Sequence, residues 1–252
     1  MIEYIFILLV AFGILILFYR QAMNEYNILQ IEMEQVSDLP KLLGEQTPVV
    51  VRGIGAPKLF TEDSLKSNAR LLSYPVTTTL TIQDYIQNPQ VQIKMPRKSS
   101  KVLANESGLQ VWASHTWFPK VFAYSAFEMI HTIQAEACLG EKGLQKTTAI
   151  YTLLYPTSGA LDVTLLTENQ GTYMPSVWRG RFPETFTLQD GPLVGEMKYI
   201  TIKLRPGNIL WIPTHWYLSI RSSEKKACFW SLIEIHNPVS WLATSMETSL
   251  DQ

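Results

Sequence analysis

The sequence has few of the features by which proteins commonly reveal their chemistry. Only two cysteines, Cys138 and Cys228, occur in 252 residues, too few for a disulfide framework. Both stand among apolar residues, so the sequence predicts buried free thiols. There is no GxSxG, Walker A, HExxH or CxxC pattern, so none of these common catalytic or metal-binding motifs identifies an activity.

An excess of charge of one sign is also missing. The chain has 21 Lys and Arg against 22 Asp and Glu, a formal net charge of −1. Proteins that bind nucleic acid usually carry a strongly basic face for the phosphates, so no nucleic-acid partner is expected. The length suits one large domain with an appendage.

The N-terminal segment is a long hydrophobic run. Residues 2–19 are apolar except for Glu3, and as a helix they would span about 27 Å, close to the thickness of a bilayer core. The alternative is a cleaved signal peptide, which usually has a basic start and a small-x-small cleavage site that are not seen here. The run predicts a single-pass membrane anchor. Arg20 is the one nearby basic residue and weakly favours a cytosolic C-terminal domain.

Three segments follow from this reading. Residues 1–20 are predicted to be a transmembrane anchor. Residues 21–36 contain no Gly or Pro and are predicted to continue as a helical stalk or linker. Residues 37–252 are predicted to be one folded domain.

Within that domain the pattern changes from helical to β. Thr61 resembles a helix N-cap, and the capping box Ser125–Glu128 predicts a helix over residues 126–139. Residues 94–101 are predicted to be a basic solvated loop, with contact to anionic headgroups as the alternative. A closing helix is predicted over 239–247. The predicted strands are 48–53, 76–82, 147–155, 160–167, 198–204, 209–212, 216–221 and 227–235.

Short strands with turn signals, preceded by helices, predict a mainly β fold with flanking helices: a double-stranded β-helix, or jelly roll. Leu204–Arg221, LRPGNILWIPTHWYLSIR, resembles the "PGD-hydrophobic-IP-x-x-W-x-H" signature of cupin-like and JmjC-type jelly rolls. Pro48–Leu65 resembles the segment that precedes their core. Leu139–Gly143 with Thr147-Thr148 resembles the approach to their first metal-binding strand.

The family's metal ligands are missing at the matching positions. The resemblance places the final His at Leu218 and the His-x-Asp pair at Ile150 and Thr152. A non-haem iron oxygenase needs two imidazoles and a carboxylate, and these three side chains offer one hydroxyl. The family's 2-oxoglutarate-binding Lys has no counterpart on 160–167, where the only charge is Asp162.

The resemblance therefore implies a degenerate family member, a pseudoenzyme with no catalytic, cofactor-binding or metal residue at the family positions. The leading hypothesis is a membrane-anchored, non-catalytic binding or scaffolding module, whose protein or glycan partner the sequence does not specify.

Two alternatives remain open. Ligands for Fe(II), with 2-oxoglutarate, could have moved to His215, Glu234 and His236, because Glu234 and His236 lie two apart on a predicted strand. The other interpretation of that pair is the solvent-facing side of the last strand. Alternatively, the jelly roll binds carbohydrate on strand aromatics, which are otherwise core residues. These are Trp211, Trp216, Tyr217 and Trp230.

Overall fold

The computed structural model describes residues 7–12, 27–55, 59–91, 93, 95–122, 131–224 and 226–242. These residues form two β-sheets flanked by helices, which confirms the mainly β class. The strands are β1 Leu29–Glu32, β2 Val49–Arg52, β3 Thr132–Leu139, β4 Lys142–Lys146, β5 Tyr151–Ser158, β6 Leu161–Leu166, β7 Ile200–Leu204, β8 Ile209–Pro213, β9 Tyr217–Ser222 and β10 Phe229–His236.

The strand order is that of a jelly roll. One sheet runs β1-β2-β8-β5-β10-β3 and the other β4-β9-β6-β7. From β3 onward the chain passes from one sheet to the other after every strand except between β6 and β7, and all these pairings are antiparallel. Eight strands arranged in this way form the double-stranded β-helix that the sequence predicts.

The two sheets enclose an apolar interior. Alternate residues of β5, β8 and β10 meet alternate residues of β6, β7 and β9, because successive side chains on a strand point to opposite faces. This interior cluster consists of Val50, Cys138, Leu154, Leu161, Val163, Leu165, Leu204, Leu210, Ile212, Trp216, Leu218, Ile220, Cys228, Trp230 and Leu232.

Helices cover the outer face of the six-stranded sheet. Their apolar side chains pack against the outward-facing apolar side chains of the sheet and form the largest hydrophobic cluster. Thr61 caps the first turn of its helix, as predicted, because its hydroxyl accepts the Ser64 N–H at 3.2 Å. The α-helices are Leu39–Leu43, Glu62–Lys66, Ala69–Leu72, Ile82–Gln87, Arg97–Glu106, Leu109–Val111 and Phe118–Phe122, with π-helical Trp112–Trp117 before the last.

The outer face of the four-stranded sheet is covered by residues 168–199, which contain the 3₁₀ helices Glu168–Tyr173, Pro183–Thr185 and Val194–Glu196. Tyr217 packs edge-on against Trp178, with ring centroids 5.0 Å apart. The same segment pairs with β4, where the Gly180 N–H donates to Leu144 O and the Leu144 N–H donates to Arg181 O. The free edge of β4 is therefore partly closed.

Four local predictions are wrong. Residues 29–32 of the predicted stalk form strand β1, and residues 132–139 of the predicted helix form strand β3. Residues 76–81 are not a strand, because Thr81 caps the helix Ile82–Gln87, and residues 97–101 are helical and not a loop. At β1 and β3, ladder hydrogen bonds and burial supplied by β2 and β10 outweigh local helix propensity, which is a weak preference per residue.

The predicted anchor lies mostly outside the described residues, as do residues 21–26, 126–130 and 243–247 of the predicted helices. Residues 7–12 form a short helix, and residues 238–242 are helical. Within the part of the chain that the structure describes, no helix combines the length and apolar character that crossing a bilayer requires.

We predict that Gly143→Ala lowers the free energy of unfolding by about 1–3 kcal/mol, the usual cost of overpacking. A Cβ on Gly143 would overlap the backbone carbonyl of Gly180, which cannot move without breaking its pairing with β4. Urea denaturation of the full chain measures the effect. Gly55→Ala is the matched control, since a Cβ there meets open space. Equal stability of both variants would contradict the pairing.

Candidate functional site

The three positions that the sequence resemblance matches to metal ligands carry no imidazole or carboxylate. Leu218 lies on β9 within the interior cluster and is fully buried. Thr152 lies on β5 and is 2% exposed, on the inward-facing side with Leu154. Ile150 precedes β5, and its N–H donates to Ile235 O at 3.0 Å. The three side chains together offer one hydroxyl and no imidazole or carboxylate. They therefore do not fit an iron centre.

The strand on which the family places its 2-oxoglutarate Lys also lacks a matching group. On β6, Leu161, Val163 and Leu165 face the interior cluster. Asp162 lies between two of them and therefore points to the opposite face of the sheet. The interior between the sheets thus receives only apolar side chains from β6.

A group of charged and polar side chains lies at one edge of the six-stranded sheet, where β3 is the outermost strand. Glu234 is paired with Gln134 on one side and Thr152 on the other, and all three share the inward-facing side. We call Arg97, Glu136, Lys142, Thr152, Glu234 and His236 the polar edge cluster.

Arg97 holds the polar edge cluster together from outside the sheet. It lies in the first turn of the helix Arg97–Glu106, which packs along β3. Its Nε donates to Glu136 Oε1 and its Nη2 donates to Glu234 Oε2. The Glu136 side chain is 3% exposed and that of Glu234 is 12% exposed, whereas that of Arg97 is 56% exposed. Arg97 therefore covers two buried carboxylates.

Two further side chains approach the same carboxylates. Lys142 Nζ lies 3.8 Å from Glu136 Oε2, and His236 Nε2 lies 3.4 Å from Glu234 Oε2. Burial acts to raise the pKa of Glu234, but the hydrogen bond from His236 and the charge of Arg97 outweigh it, so the pKa is lowered. Burial likewise acts to lower the pKa of Arg97, and the two carboxylates raise it. Glu234 is therefore ionised and paired at neutral pH.

Two atoms of the polar edge cluster retain hydrogen-bonding capacity. Among the described residues, Thr152 Oγ1 and His236 Nδ1 are buried and have no hydrogen-bond partner. Buried polar atoms are usually paired, so these two atoms have the capacity to form one more hydrogen bond each. Both lie beside Glu234, Thr152 across the strand pair and His236 two residues along it.

The helical region also closes the edge of β3. The Gln110 side-chain amide donates to Ile133 O at 2.9 Å and accepts the Ala135 N–H at 2.7 Å. It thereby satisfies backbone groups of β3 that a neighbouring strand would otherwise take. Lys101 Nζ donates to Gln134 Oε1 near this edge.

The alternative set of metal ligands is only partly brought together. Glu234 and His236 share a face, as their spacing predicts, but this face is buried, so the solvent-facing interpretation is wrong. His215 lies in the turn between β8 and β9 with φ 66°, where its N–H donates to Thr147 O. Among the described residues, no three His, Cys, Asp or Glu side chains are grouped so as to hold a metal ion.

The four strand aromatics do not form an exposed platform for sugars. Trp211, Trp216 and Trp230 are at most 3% exposed, and Tyr217 is 8% exposed. Trp216 and Tyr217 point to opposite faces, as predicted, but residues 168–199 bury the outer one. The exposed platform that the carbohydrate hypothesis requires at these positions is therefore absent.

The prediction of buried free thiols is confirmed. Cys138 and Cys228 are both unpaired and buried, in the interior cluster. Burial raises the pKa of each thiol to about 12, so neither is a reactive thiolate at neutral pH.

Comparison with known proteins gives no family for this chain. No family model matches it, and no curated protein matches it. Among solved structures, it is similar to the CENP-C cupin domain of Drosophila melanogaster, with a TM-score of 0.26, 14% identity and coverage of 40% of this chain and 59% of that one. It is also similar to procruciferin, an 11S globulin from Brassica napus, with a TM-score of 0.27, 15% identity and coverage of 42% and 21%. The jelly-roll assignment rests on the strand order and not on these partial similarities.

Sequence reasoning missed Arg97 and Glu136, the centre of the polar edge cluster. Arg97 falls in a predicted loop, and Glu136 falls in a predicted helix. The available signal was the alternation of Ala135, Ala137 and Leu139 with more polar residues, which is typical of a strand.

We predict that Arg97→Met lowers the free energy of unfolding by about 3 kcal/mol at pH 7. This is the low end for breaking a buried ion pair, because Arg97 is itself half-exposed. Arg70→Met is the control: Arg70 pairs with Glu106 of the same helix but is 79% exposed, so about 0.5 kcal/mol is expected.

The difference between wild type and Arg97→Met should shrink on acidification. The lowered pKa of Glu234 contributes stability above its unfolded-state pKa, and that stability is lost as the pH falls through the folded-state value. Without Arg97 the pKa of Glu234 rises, so the variant has less to lose. Unfolding curves between pH 7 and pH 3 test this, and a constant difference would contradict it.

Proposed function

We propose that this protein is a membrane-tethered, non-catalytic binding module, built on a jelly roll of JmjC type that has lost its iron site. The observation that carries the proposal is Leu218. At the position where the family has its last imidazole, a fully buried leucine packs between the two sheets.

An oxygenase of this kind needs open positions around a metal for oxygen and for 2-oxoglutarate. Here the corresponding space is filled by close-packed aliphatic and aromatic side chains from both sheets, and the position matched to the carboxylate carries the Thr152 hydroxyl. A substitution that introduced one metal ligand at these positions would still leave the other two missing.

A binding role is supported by the polar edge cluster. It offers the Thr152 hydroxyl and the His236 ring nitrogen as buried hydrogen-bonding groups without a partner among the described residues. Arg97, which is half-exposed, lies over the two buried carboxylates.

The membrane anchor is supported by residues 7–12. Ile7, Leu8 and Leu9 of this short helix are between 63% and 67% exposed, and Val10 is 46% exposed. Four consecutive exposed apolar side chains are unfavourable in water, and they lie within an apolar run long enough to cross a bilayer. The proposed arrangement places the jelly roll on the cytosolic side.

We predict that the full chain does not assemble an iron site. Purified in detergent and incubated anaerobically with Fe(II) and 2-oxoglutarate, it should retain much less than one equivalent of iron by elemental analysis and form no succinate in air. His236→Ala and the control His115→Ala, which alters an exposed His, should behave like wild type. Stoichiometric iron that is lost in His236→Ala but kept in His115→Ala would overturn the non-catalytic proposal and favour relocated ligands.

We predict that the chain remains in the membrane fraction after carbonate extraction at high pH. The double variant Leu8→Arg, Leu9→Arg should be released, because each Arg near the centre of a span costs about 3 kcal/mol. Val177→Arg with Leu188→Arg alters two equally exposed apolar residues of the jelly roll and is the matched control. Release of the wild-type chain would rule out the anchor.

A further inference from the structure

The end of the jelly roll at which β1 begins is defined by the strand register. Leu29 pairs with Val49, and this row continues across the six-stranded sheet to Ile233 of β10. β10 then runs three residues further, to His236, towards the side from which β1 starts. The start of β1 and the end of β10 therefore lie at one end of the jelly roll, separated across the sheet by four strand spacings of about 19 Å in all.

The length of chain before β1 is short. The proposed membrane span ends at residue 19, and β1 begins at Leu29 as part of the sheet. The nine residues between them span at most about 30 Å when fully extended. If the anchor proposal holds, on which this inference rests, the start of β1 lies within about 30 Å of the bilayer, which favours an orientation with this end of the jelly roll towards the membrane.

This same end carries an exposed tryptophan. Trp241 lies in the helical turn that follows β10 directly, and it is 63% exposed. All seven tryptophans of the chain lie in the described residues, and Trp241 is the most exposed of them. Tryptophan is enriched where membrane and water meet, because its large apolar ring carries one polar N–H.

The turn that carries Trp241 is held against the end of β10. The Ser240 N–H donates to Asn237 Oδ1 at 2.7 Å, and the Asn237 N–H donates to Ser240 Oγ at 3.0 Å. The Trp241 N–H donates to Asn237 O at 2.9 Å. This reciprocal capping orders the backbone of the turn that carries the indole. Val111, 59% exposed, adds apolar surface near the same end, since the preceding Gln110 binds Ile133 and Ala135.

We propose that this end of the jelly roll rests on the lipid surface, with the Trp241 indole in the headgroup layer of a phospholipid bilayer. The domain is then held at the membrane by two contacts, the apolar N-terminal run and Trp241. This arrangement keeps the polar edge cluster at a fixed height and orientation relative to the membrane.

The test is tryptophan quenching by brominated lipid. The full chain is reconstituted into phosphatidylcholine vesicles with or without bromine at positions 6 and 7 of an acyl chain. The wild-type emission should be quenched, and Trp241→Phe should abolish most of the quenched fraction. Trp178→Phe is the matched control: Trp178 covers Tyr217 on the outer face of the other sheet, so its loss should leave the quenched fraction unchanged.

Flotation of the same vesicles separates the possible failures. Chains that float but show equal emission in brominated and ordinary lipid would overturn the Trp241 contact and leave the anchor intact. Chains that do not float would overturn both. A third outcome combines unquenched emission with a wild-type dimer in detergent that becomes a monomer in Trp241→Phe. It would assign this surface to a second copy of the chain and overturn the lipid contact. An unchanged unfolding midpoint for Trp241→Phe establishes that the variant is folded.

Discussion

The alternation of side chains along β10 is the constraint on which the other layers depend. β10 pairs with β5 on one side and with β3 on the other, so its backbone groups are committed in both directions. Phe229, Ile233 and Ile235 then face the helices, whereas Trp230 and Leu232 face the interior between the sheets. A shift of one residue would exchange the two sets, which makes the register strongly specified.

The same alternation brings Glu234 and His236 to the inward-facing side, where charged groups need partners. Their burial is compatible with stability because Arg97 reaches over β3 and Lys142 approaches from β4. Buried ion pairs seldom add net stability over apolar packing, but removing one partner leaves an uncompensated charge. The polar edge cluster therefore fixes the helix Arg97–Glu106 to the edge of the sheet. Of its charged groups, Arg97 is the most exposed.

The interior between the two sheets is filled by packing residues. Where the fold in an oxygenase supports ligands for a metal, the strands here contribute leucine, isoleucine and one threonine. The outer face of the four-stranded sheet is closed as well, by residues 168–199, so the aromatic residues of β9 stabilise the domain and do not bind from solution. Within the part of the chain that the structure describes, charged and polar side chains gather instead at the β3 edge of the six-stranded sheet.

The strands from β6 to β10 follow from the sequence alone, because their β-rich runs are separated by local turn signals such as Pro206-Gly207, where Gly207 adopts φ 91°. The sequence also shows that the family's ligand positions lack imidazole and carboxylate groups. That residues 132–139 form a strand and that residues 29–32 belong to the sheet depends on contacts between distant parts of the chain. Those segments obtain their hydrogen bonds and apolar contacts from strands distant in the chain. The alternation of Ala135, Ala137 and Leu139 is typical of a strand but does not identify its partner. The meeting of Arg97 with Glu136 and Glu234 likewise depends on distant contacts, since it requires a helix and two strands from separate parts of the sequence to come together.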